Sequence, residues 1–236
     1  MRDARLPKLV LLPGMDGTGE LFREFVKALP DEIKTEVVRY PGDVILSYVD
    51  LMPFVLAAIP ESAPFVLLAE SFSTPLAIEF AASCPSNLKG VIICVGFVAS
   101  PAQGWRRLVA SLFAPVAFRV TPPKFVLRFL MAGRDAPLSR RVPVGSALSE
   151  VEPKVMAARL RAVLRCDVRA ELGRVAVPIF YLQAMQDRLV GGDCVEEILR
   201  VRPETVVEAI DGPHQLLQRH PQRSAGIVAE FLRRMS

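Results

Sequence analysis

Histidine and closely spaced cysteines are scarce in this sequence. Of 236 residues, only His214 and His220 are histidines, and the four cysteines show no C-x-x-C spacing. Zinc sites and two-metal hydrolytic sites are usually built from several such ligands. We therefore expect no metal site and no cofactor. The cysteines lie in apolar stretches that predict reduced thiols, which favours a cytoplasmic protein.

Long hydrophobic runs are also missing. The longest apolar stretches, residues 91–99 and 108–118, fall far short of a membrane-spanning helix, which needs ~20 apolar residues. We therefore expect no integral membrane segment. The apolar run at residues 9–12 follows two arginines but is too brief for a signal peptide.

The charge of the chain does not indicate a nucleic-acid partner. The net charge of +4 comes from arginines at helical spacing, such as Arg159, Arg161 and Arg165. This spacing is typical of a solvated helix face. Because no aromatic residues interleave with the arginines as a base-stacking surface requires, we expect no nucleic-acid binding. A weak attraction to anionic lipid surfaces stays open.

The sequence does contain a serine at the end of a buried strand. Residues 65–69 form an apolar run and Thr74 begins an apolar helix, with Ser71 between them and small residues, Ala69 and Ser73, two positions to either side. A sharp strand-to-helix turn tolerates only small residues there and presents the serine hydroxyl above the sheet edge. The pattern predicts a nucleophile, although a serine in this place can also be an ordinary helix N-cap.

Two side chains that a serine nucleophile needs follow strand-like segments further along. Asp187 comes after one apolar segment, and His214 follows another in a Gly-Pro loop. A serine hydroxyl becomes a good nucleophile when an imidazole accepts its proton and a carboxylate orients that imidazole. We predict a catalytic triad of Ser71, Asp187 and His214. Asp187 could instead cap a turn, and His220 is interpreted as a solvated helix-end residue.

A glycine-rich loop follows the first apolar run, with three glycines in residues 14–19. Glycine lets the backbone come close to a group above the sheet. Acyl transfer needs two backbone N–H groups that face the developing oxyanion, and we expect Phe72 and Met15 to supply them. The loop has neither G-x-G-x-x-G nor G-K-[ST], so a phosphate site is disfavoured.

Two carboxylates beside these groups are expected to be structural. Glu70 immediately precedes Ser71, a position that normally points away from the substrate. Asp16 lies within the glycine-rich loop, where an Asx-type hydrogen bond would stabilise the turn.

These segments together resemble the α/β-hydrolase superfamily along nearly the whole chain. Residues 11–17 resemble the oxyanion loop after that family's third strand, and residues 69–73 resemble its nucleophile elbow. Asp187 matches the acid after the seventh strand, and His214 matches the base after the eighth. The glycine-rich loop also resembles that of a plant group of lipid acyltransferases.

The resemblance implies triad roles for Ser71, Asp187 and His214, and an oxyanion hole made by the N–H groups of Met15 and Phe72. A serine at the elbow also argues against dehalogenase and epoxide-hydrolase chemistry, which in this superfamily uses an aspartate there.

Alternating strand and helix patterns predict a mostly parallel sheet with helices on both faces. Strands are expected at residues 9–12, 36–38, 65–69, 91–95, 179–183 and 206–210. Helices are expected at residues 20–29, 46–58, 74–84, 194–201 and 222–235. Because only residues 1–7 precede the first strand, we predict about six strands without the N-terminal hairpin common in the family.

The alternation breaks between residues 101 and 168, where apolar residues recur at helical spacing in three stripes, at 105–116, 125–130 and 155–164. The resemblance implies a helical cap here. We predict an α/β-hydrolase core of residues 1–100 and 169–236 and a cap of residues 101–168 whose apolar side chains face Ser71. Alternatively, the stripes merely pack on the sheet and on one another.

The sequence thus predicts a cofactor-independent serine hydrolase that cleaves a small-molecule carboxylic ester with a small or medium apolar acyl group. Two alternatives stay open on the same fold. In the first, a lipid alcohol replaces water and the protein is an acyltransferase. In the second, the protein is a non-catalytic receptor for a small ligand. No feature of the sequence indicates an oligomeric state.

Overall fold

A parallel sheet organises the protein. The computed structural model describes residues 6–102 and 150–235. The strands in these ranges are β1 (Lys8–Leu12), β2 (Thr35–Val37), β3 (Phe65–Glu70), β4 (Leu88–Cys94), β5 (Ile179–Ala184) and β6 (Val206–Ile210). They form one sheet in the order β2-β1-β3-β4-β5-β6, and every neighbouring pair is parallel.

The six predicted strands are all present, with bounds that differ by a few residues at most. The described sheet has six parallel strands, as predicted. Local sequence was sufficient for most strands, because β1, β3, β4 and β5 are short, largely apolar runs that each follow a Pro or Asn.

The five helices expected in the core are also present. The described helices are α1 (Arg23–Ala28), α2 (Tyr48–Ala58), α3 (Thr74–Ala81), α4 (Pro153–Arg165), α5 (Arg169–Arg174), α6 (Gly192–Val201), α7 (Leu216–Arg219) and α8 (Pro221–Arg234). Short 3-10 helices, Glu20–Phe22 and Ser71–Ser73, precede α1 and α3. Helices α5 and α7 were not predicted, because segments of six and four residues are too short to show a helical period.

Only part of the expected cap can be compared with the structure. Helix α4 corresponds to the third apolar stripe, whereas the first two stripes lie outside the described residues. The division into a core and a cap stays a prediction.

The apolar core forms two layers, one on each face of the sheet. In β1, Val10 and Leu12 belong to one layer, and Leu9 and Leu11 belong to the other, because successive residues of a strand point to opposite faces. The first layer includes residues of α2, α3, α5 and α6, and the second includes residues of α1, α7 and α8. Both faces of the sheet are therefore covered, which explains the apolar strands.

No helix in the described ranges combines the length and apolarity needed to cross a bilayer.

Candidate active site

Ser71 lies at a strained turn between β3 and α3. Its φ of 48° is in the left-handed region, which is uncommon for any residue other than glycine. Ala69 and Ser73, two residues to either side, are fully buried. Their small side chains fit the steric requirement of a nucleophile elbow, in which strain holds the serine hydroxyl above the sheet edge. The sharp turn predicted from the sequence is present.

The structure brings Ser71, His214 and Asp187 into one hydrogen-bonded chain. His214 Nε2 lies 3.0 Å from Ser71 Oγ, and His214 Nδ1 lies 2.7 Å from Asp187 Oδ2. A carboxylate can only accept, so Nδ1 carries the proton and Nε2 is free to accept from the serine hydroxyl. The Asp187 side chain is only 2% exposed, so little water competes for this contact.

The loops that carry Asp187 and His214 are joined to each other beyond the ends of β5 and β6. The Met185 amide donates to Ile210 O at 3.0 Å, and the Gln186 amide donates to Gly212 O at 2.9 Å. The second carboxylate oxygen, Asp187 Oδ1, accepts from the amides of residues 189 and 190 at 2.8 and 2.9 Å. These bonds hold the loop of Asp187 next to the loop of His214.

His220 differs in part from its prediction. It ends α7 and precedes α8 as expected, but it is half-buried rather than solvated. A Cβ on Gly212 would lie 2.8 Å from the His220 ring, so the ring packs beneath the loop that carries His214. Burial and the nearby Arg219 and Arg223 lower the pKa of His220.

The loop after β1 is a tight turn stabilised by its own residues. Asp16 Oδ2 accepts hydrogen bonds from the Thr18 amide at 2.9 Å and the Thr18 hydroxyl at 2.6 Å, which confirms the predicted Asx-type turn. Gly17 has a φ of 72°, and its amide donates to Gly14 O at 3.0 Å. Since a trans peptide directs its N–H away from its C=O, this last bond sets the direction of the Met15 N–H.

Phe72, the other expected oxyanion donor, is held by a tyrosine that sequence reasoning missed. The Tyr48 hydroxyl donates to Phe72 O at 2.9 Å, and the two rings stack with centroids 5.0 Å apart. Burial raises the pKa of Tyr48 well above its ordinary value, so its hydroxyl stays a donor. No local pattern marks Tyr48, which lies 24 residues before Phe72.

A second tyrosine links the elbow to the loop after β1. Ser73 Oγ donates to Pro13 O, so the Tyr40 hydroxyl must be the donor in its 2.8 Å contact with Ser73 Oγ. The serine that replaces the second glycine of G-x-S-x-G therefore joins the two segments expected to form the oxyanion hole. The sequence showed that Ser73 occupies this position of the motif, but it did not show that Ser73 binds Tyr40 and Pro13.

Glu70 is buried behind the nucleophile. Its Oε1 accepts from Gln218 Nε2 at 2.8 Å, and its Oε2 is buried with no hydrogen-bond partner among the described residues. Burial raises the pKa of this carboxyl to about 7. These contacts agree with the expectation of a structural residue.

One prediction about charge is wrong. Arg159 was assigned to a solvated helix face, yet it is 2% exposed. It donates to the carbonyl oxygens of Met15, Asp16 and Pro41. Helical spacing identified the helix but not the face on which this arginine lies.

The arrangement has the features needed for acyl transfer through a serine. Within the described residues, no group of three His, Cys, Asp or Glu side chains is arranged to hold a metal ion. A serine hydroxyl, an imidazole and a carboxylate hydrogen-bonded in this order can support attack by the serine oxygen with proton transfer through the imidazole.

Comparisons with known proteins agree on the fold. No protein-family model matches the chain. The pimeloyl-[acyl-carrier protein] methyl ester esterase of Methylococcus capsulatus is 27% identical to this chain over an aligned length of 255 residues, gaps included. The alignment covers 97% of this chain and 95% of that protein. The similarity therefore extends over nearly the whole chain.

Two solved structures superpose on nearly the whole chain. An esterase from Exiguobacterium antarcticum has a TM-score of 0.81 at 12% identity, covering 96% of this chain and 92% of its own. An enol-lactonase from Burkholderia xenovorans has a TM-score of 0.79 at 16% identity, covering 99% and 94%.

Proposed function

Because this chain belongs to the α/β-hydrolase superfamily, we propose that it is a serine hydrolase that cleaves carboxylic esters of small or medium apolar acyl groups. The observation that carries this proposal is the chain of contacts from Ser71 Oγ through His214 to Asp187, at 3.0 and 2.7 Å. Ser71 is the nucleophile, His214 the general base and acid, and Asp187 the group that orients His214.

In the first half of the reaction, His214 Nε2 accepts the Ser71 proton as Oγ attacks the ester carbonyl carbon. The carbonyl oxygen becomes an oxyanion, which the N–H groups of Met15 and Phe72 stabilise. The intermediate collapses, the bond to the alcohol oxygen breaks, and His214 donates its proton to the leaving alcohol. The acyl group is then bound to Ser71 as an ester.

In the second half, water replaces the alcohol. His214 accepts a proton from water as its oxygen attacks the acyl-enzyme, and the same amides stabilise the second oxyanion. Collapse of that intermediate returns the proton from His214 to Ser71 and releases the carboxylic acid. No cofactor is needed, since every proton and electron pair is supplied by these groups and water.

The esterase from Methylococcus capsulatus supports an ester as the substrate class, because its name describes cleavage of a methyl ester on an acyl chain. That name specifies a pimeloyl group on an acyl-carrier protein. A methyl ester of a medium-chain acid is therefore included among the substrates to be tested.

The experiment compares p-nitrophenyl esters of rising acyl length on the wild type and Ser71→Ala. We expect the wild type to hydrolyse the shorter esters and the variant to lose at least ~10³-fold in kcat, as triad removals do. Ser83→Ala is the matched control, since Ser83 is exposed near the end of the same helix. Equal rates for wild type and Ser71→Ala would refute the mechanism.

Two further arms separate the alternatives. An acyltransferase would form a new ester when a lipid alcohol is added, whereas a hydrolase gives the free acid with or without it. A non-catalytic receptor would give neither a burst of p-nitrophenol nor a phosphonate adduct on Ser71.

A further inference from the structure

Arg159 on α4 is enclosed by loops around the proposed oxyanion hole. Its guanidinium donates from Nη1 to Met15 O at 2.9 Å and to Asp16 O at 2.8 Å, and from Nη2 to Pro41 O at 2.9 Å. Burial lowers its pKa, an effect that the nearby Asp16 carboxylate opposes. A buried cation costs several kcal/mol unless hydrogen bonds compensate it, and here three backbone carbonyl oxygens accept from the guanidinium.

Arg159 also lies close to two aromatic rings. Its guanidinium carbon lies 5.9 Å from the ring centroids of both Phe72 and Tyr40, a distance at which a cation is attracted to an aromatic face. A single side chain thus contacts both residues proposed to supply the oxyanion donors, Met15 through its carbonyl and Phe72 through its ring.

Arg159 completes the hydrogen bonding of the loop after β1, since the carbonyl groups of all five residues from 13 to 17 accept bonds within the protein. The donors to these carbonyls, in chain order, are the Ser73 hydroxyl to Pro13, the Gly17 amide to Gly14, Arg159 to Met15 and Asp16, and the Tyr40 amide to Gly17. Two of the five bonded carbonyls therefore depend on Arg159, which comes from a helix more than 140 residues away in the chain.

Losing these two bonds would free the peptide that follows Met15. The Met15 carbonyl belongs to the Met15–Asp16 peptide, whereas the Met15 N–H belongs to the planar peptide before it, so a turn of the carbonyl reaches the N–H through the Met15 Cα that the two peptides share. Backbone donors stabilise an oxyanion well only when they are fixed before the reaction. A carbonyl that can turn towards the oxyanion would also repel the developing charge.

The contacts of α4 with neighbouring loops also support a role for this helix in holding the loop after β1. Met15 packs against Val155 and Met156 of this helix, and the Glu152 amide donates to Gly42 O at 2.8 Å. A Cβ on Gly17 would lie 2.6 Å from Arg159 Nη1, so only a glycine allows the guanidinium to approach this closely.

We propose that Arg159 is a positioning residue that fixes the Met15 side of the oxyanion hole, so that the hole is complete only when α4 is docked. This inference rests on the proposed function. Arg159 acts through the backbone of the loop and does not itself touch the reacting atoms.

The test compares Arg159→Met with Arg165→Met, which removes an exposed arginine from the same helix. Active sites are first counted by titrating Ser71 to completion with a fluorophosphonate, so that unfolded protein does not contribute to the rates. The measurements are kcat and KM for a p-nitrophenyl ester, affinity for a trifluoromethyl ketone whose adduct carries an oxyanion, and the thermal midpoint.

We expect Arg159→Met to lower kcat per titrated site by about 10- to 100-fold. This decrease is smaller than, or similar to, the decrease in kcat caused by removing a whole oxyanion donor. KM should change by less than about threefold, and trifluoromethyl ketone affinity should fall by the same factor as kcat/KM, because both report oxyanion stabilisation. Arg159→Lys retains the charge but not the forked set of N–H donors. Its kcat per titrated site should therefore lie between the values for the wild type and Arg159→Met. Arg165→Met should match the wild type.

A purely structural role would lower the thermal midpoint and leave kcat per titrated site unchanged, and that result would overturn the inference. If Arg159→Met does not fold, Arg159→Lys is judged by the same criterion. Failure of the proposed function has a different signature, since the wild type and Arg165→Met would then neither hydrolyse the ester nor form the adduct. That outcome would remove this inference as well.

Discussion

Replacing Glu70 by glutamine should change how stability depends on pH. Glu70 is 6% exposed, and its Oε1 accepts from Gln218 Nε2 at 2.8 Å. Burial raises the pKa of the carboxyl from 4.5 to about 7. Glutamine has nearly the same shape as the protonated acid but cannot ionise, so Glu70→Gln removes the titration while keeping an acceptor for Gln218.

The direction of the change in stability with pH follows from whether Glu70 is protonated in the folded and in the unfolded protein. Between pH 4.5 and about 7 the folded protein keeps a proton on Glu70 that the unfolded chain has lost, so the free energy of unfolding falls as the pH rises. Below pH 4.5 and above about pH 7, Glu70 does not contribute to the pH dependence of the free energy of unfolding. At about 1.4 kcal/mol for each unit of pKa difference, the wild type should lose about 3 kcal/mol across the window relative to the variant.

Urea unfolding followed by far-UV circular dichroism at several pH values from 4.5 to 8 measures this difference. Other titrating groups are shared by the two proteins, so subtracting one curve from the other isolates Glu70. Glu24→Gln, at an exposed position on α1, should leave the slope unchanged. Parallel curves for the wild type and Glu70→Gln would refute the assignment of a raised pKa to this carboxyl.

Three further substitutions test the site. Asp187→Asn should lower kcat for p-nitrophenyl esters by about 10²- to 10⁴-fold with little change in KM, because the His214 tautomer is no longer fixed; an unchanged kcat would contradict the triad. Gly17→Ala should lower the free energy of unfolding in urea by about 1–3 kcal/mol, since its φ is 72° and the new Cβ meets Arg159; wild-type stability would count against this geometry. Tyr40→Phe should cost about 1 kcal/mol in the same assay by removing the buried bond to Ser73, and no loss would show that this bond is not stabilising.

Much of the fold could be predicted because its determinants are local. Short apolar runs such as Phe65–Glu70 are strands buried on both faces, and their alternation with helical segments implies parallel pairing. The elbow was visible because a strained turn requires small residues near Ser71. Asp187 and His214 could be selected since the carboxyl ends of parallel strands meet at one edge of the sheet, where their loops must converge.

By itself, the sequence determined the strands, the core helices, the turn chemistry of Asp16 and the three side chains of the hydrogen-bonded chain from Ser71 through His214 to Asp187. Only the tertiary structure decided which polar groups are buried and what they bind. Arg159 has the same helical spacing as its exposed neighbour Arg165, yet one is enclosed and the other is solvated. That difference depends on contacts with Met15 and Asp16, more than 140 residues away. Residue type and local spacing carry no information about such partners, because burial is set by how distant elements pack together.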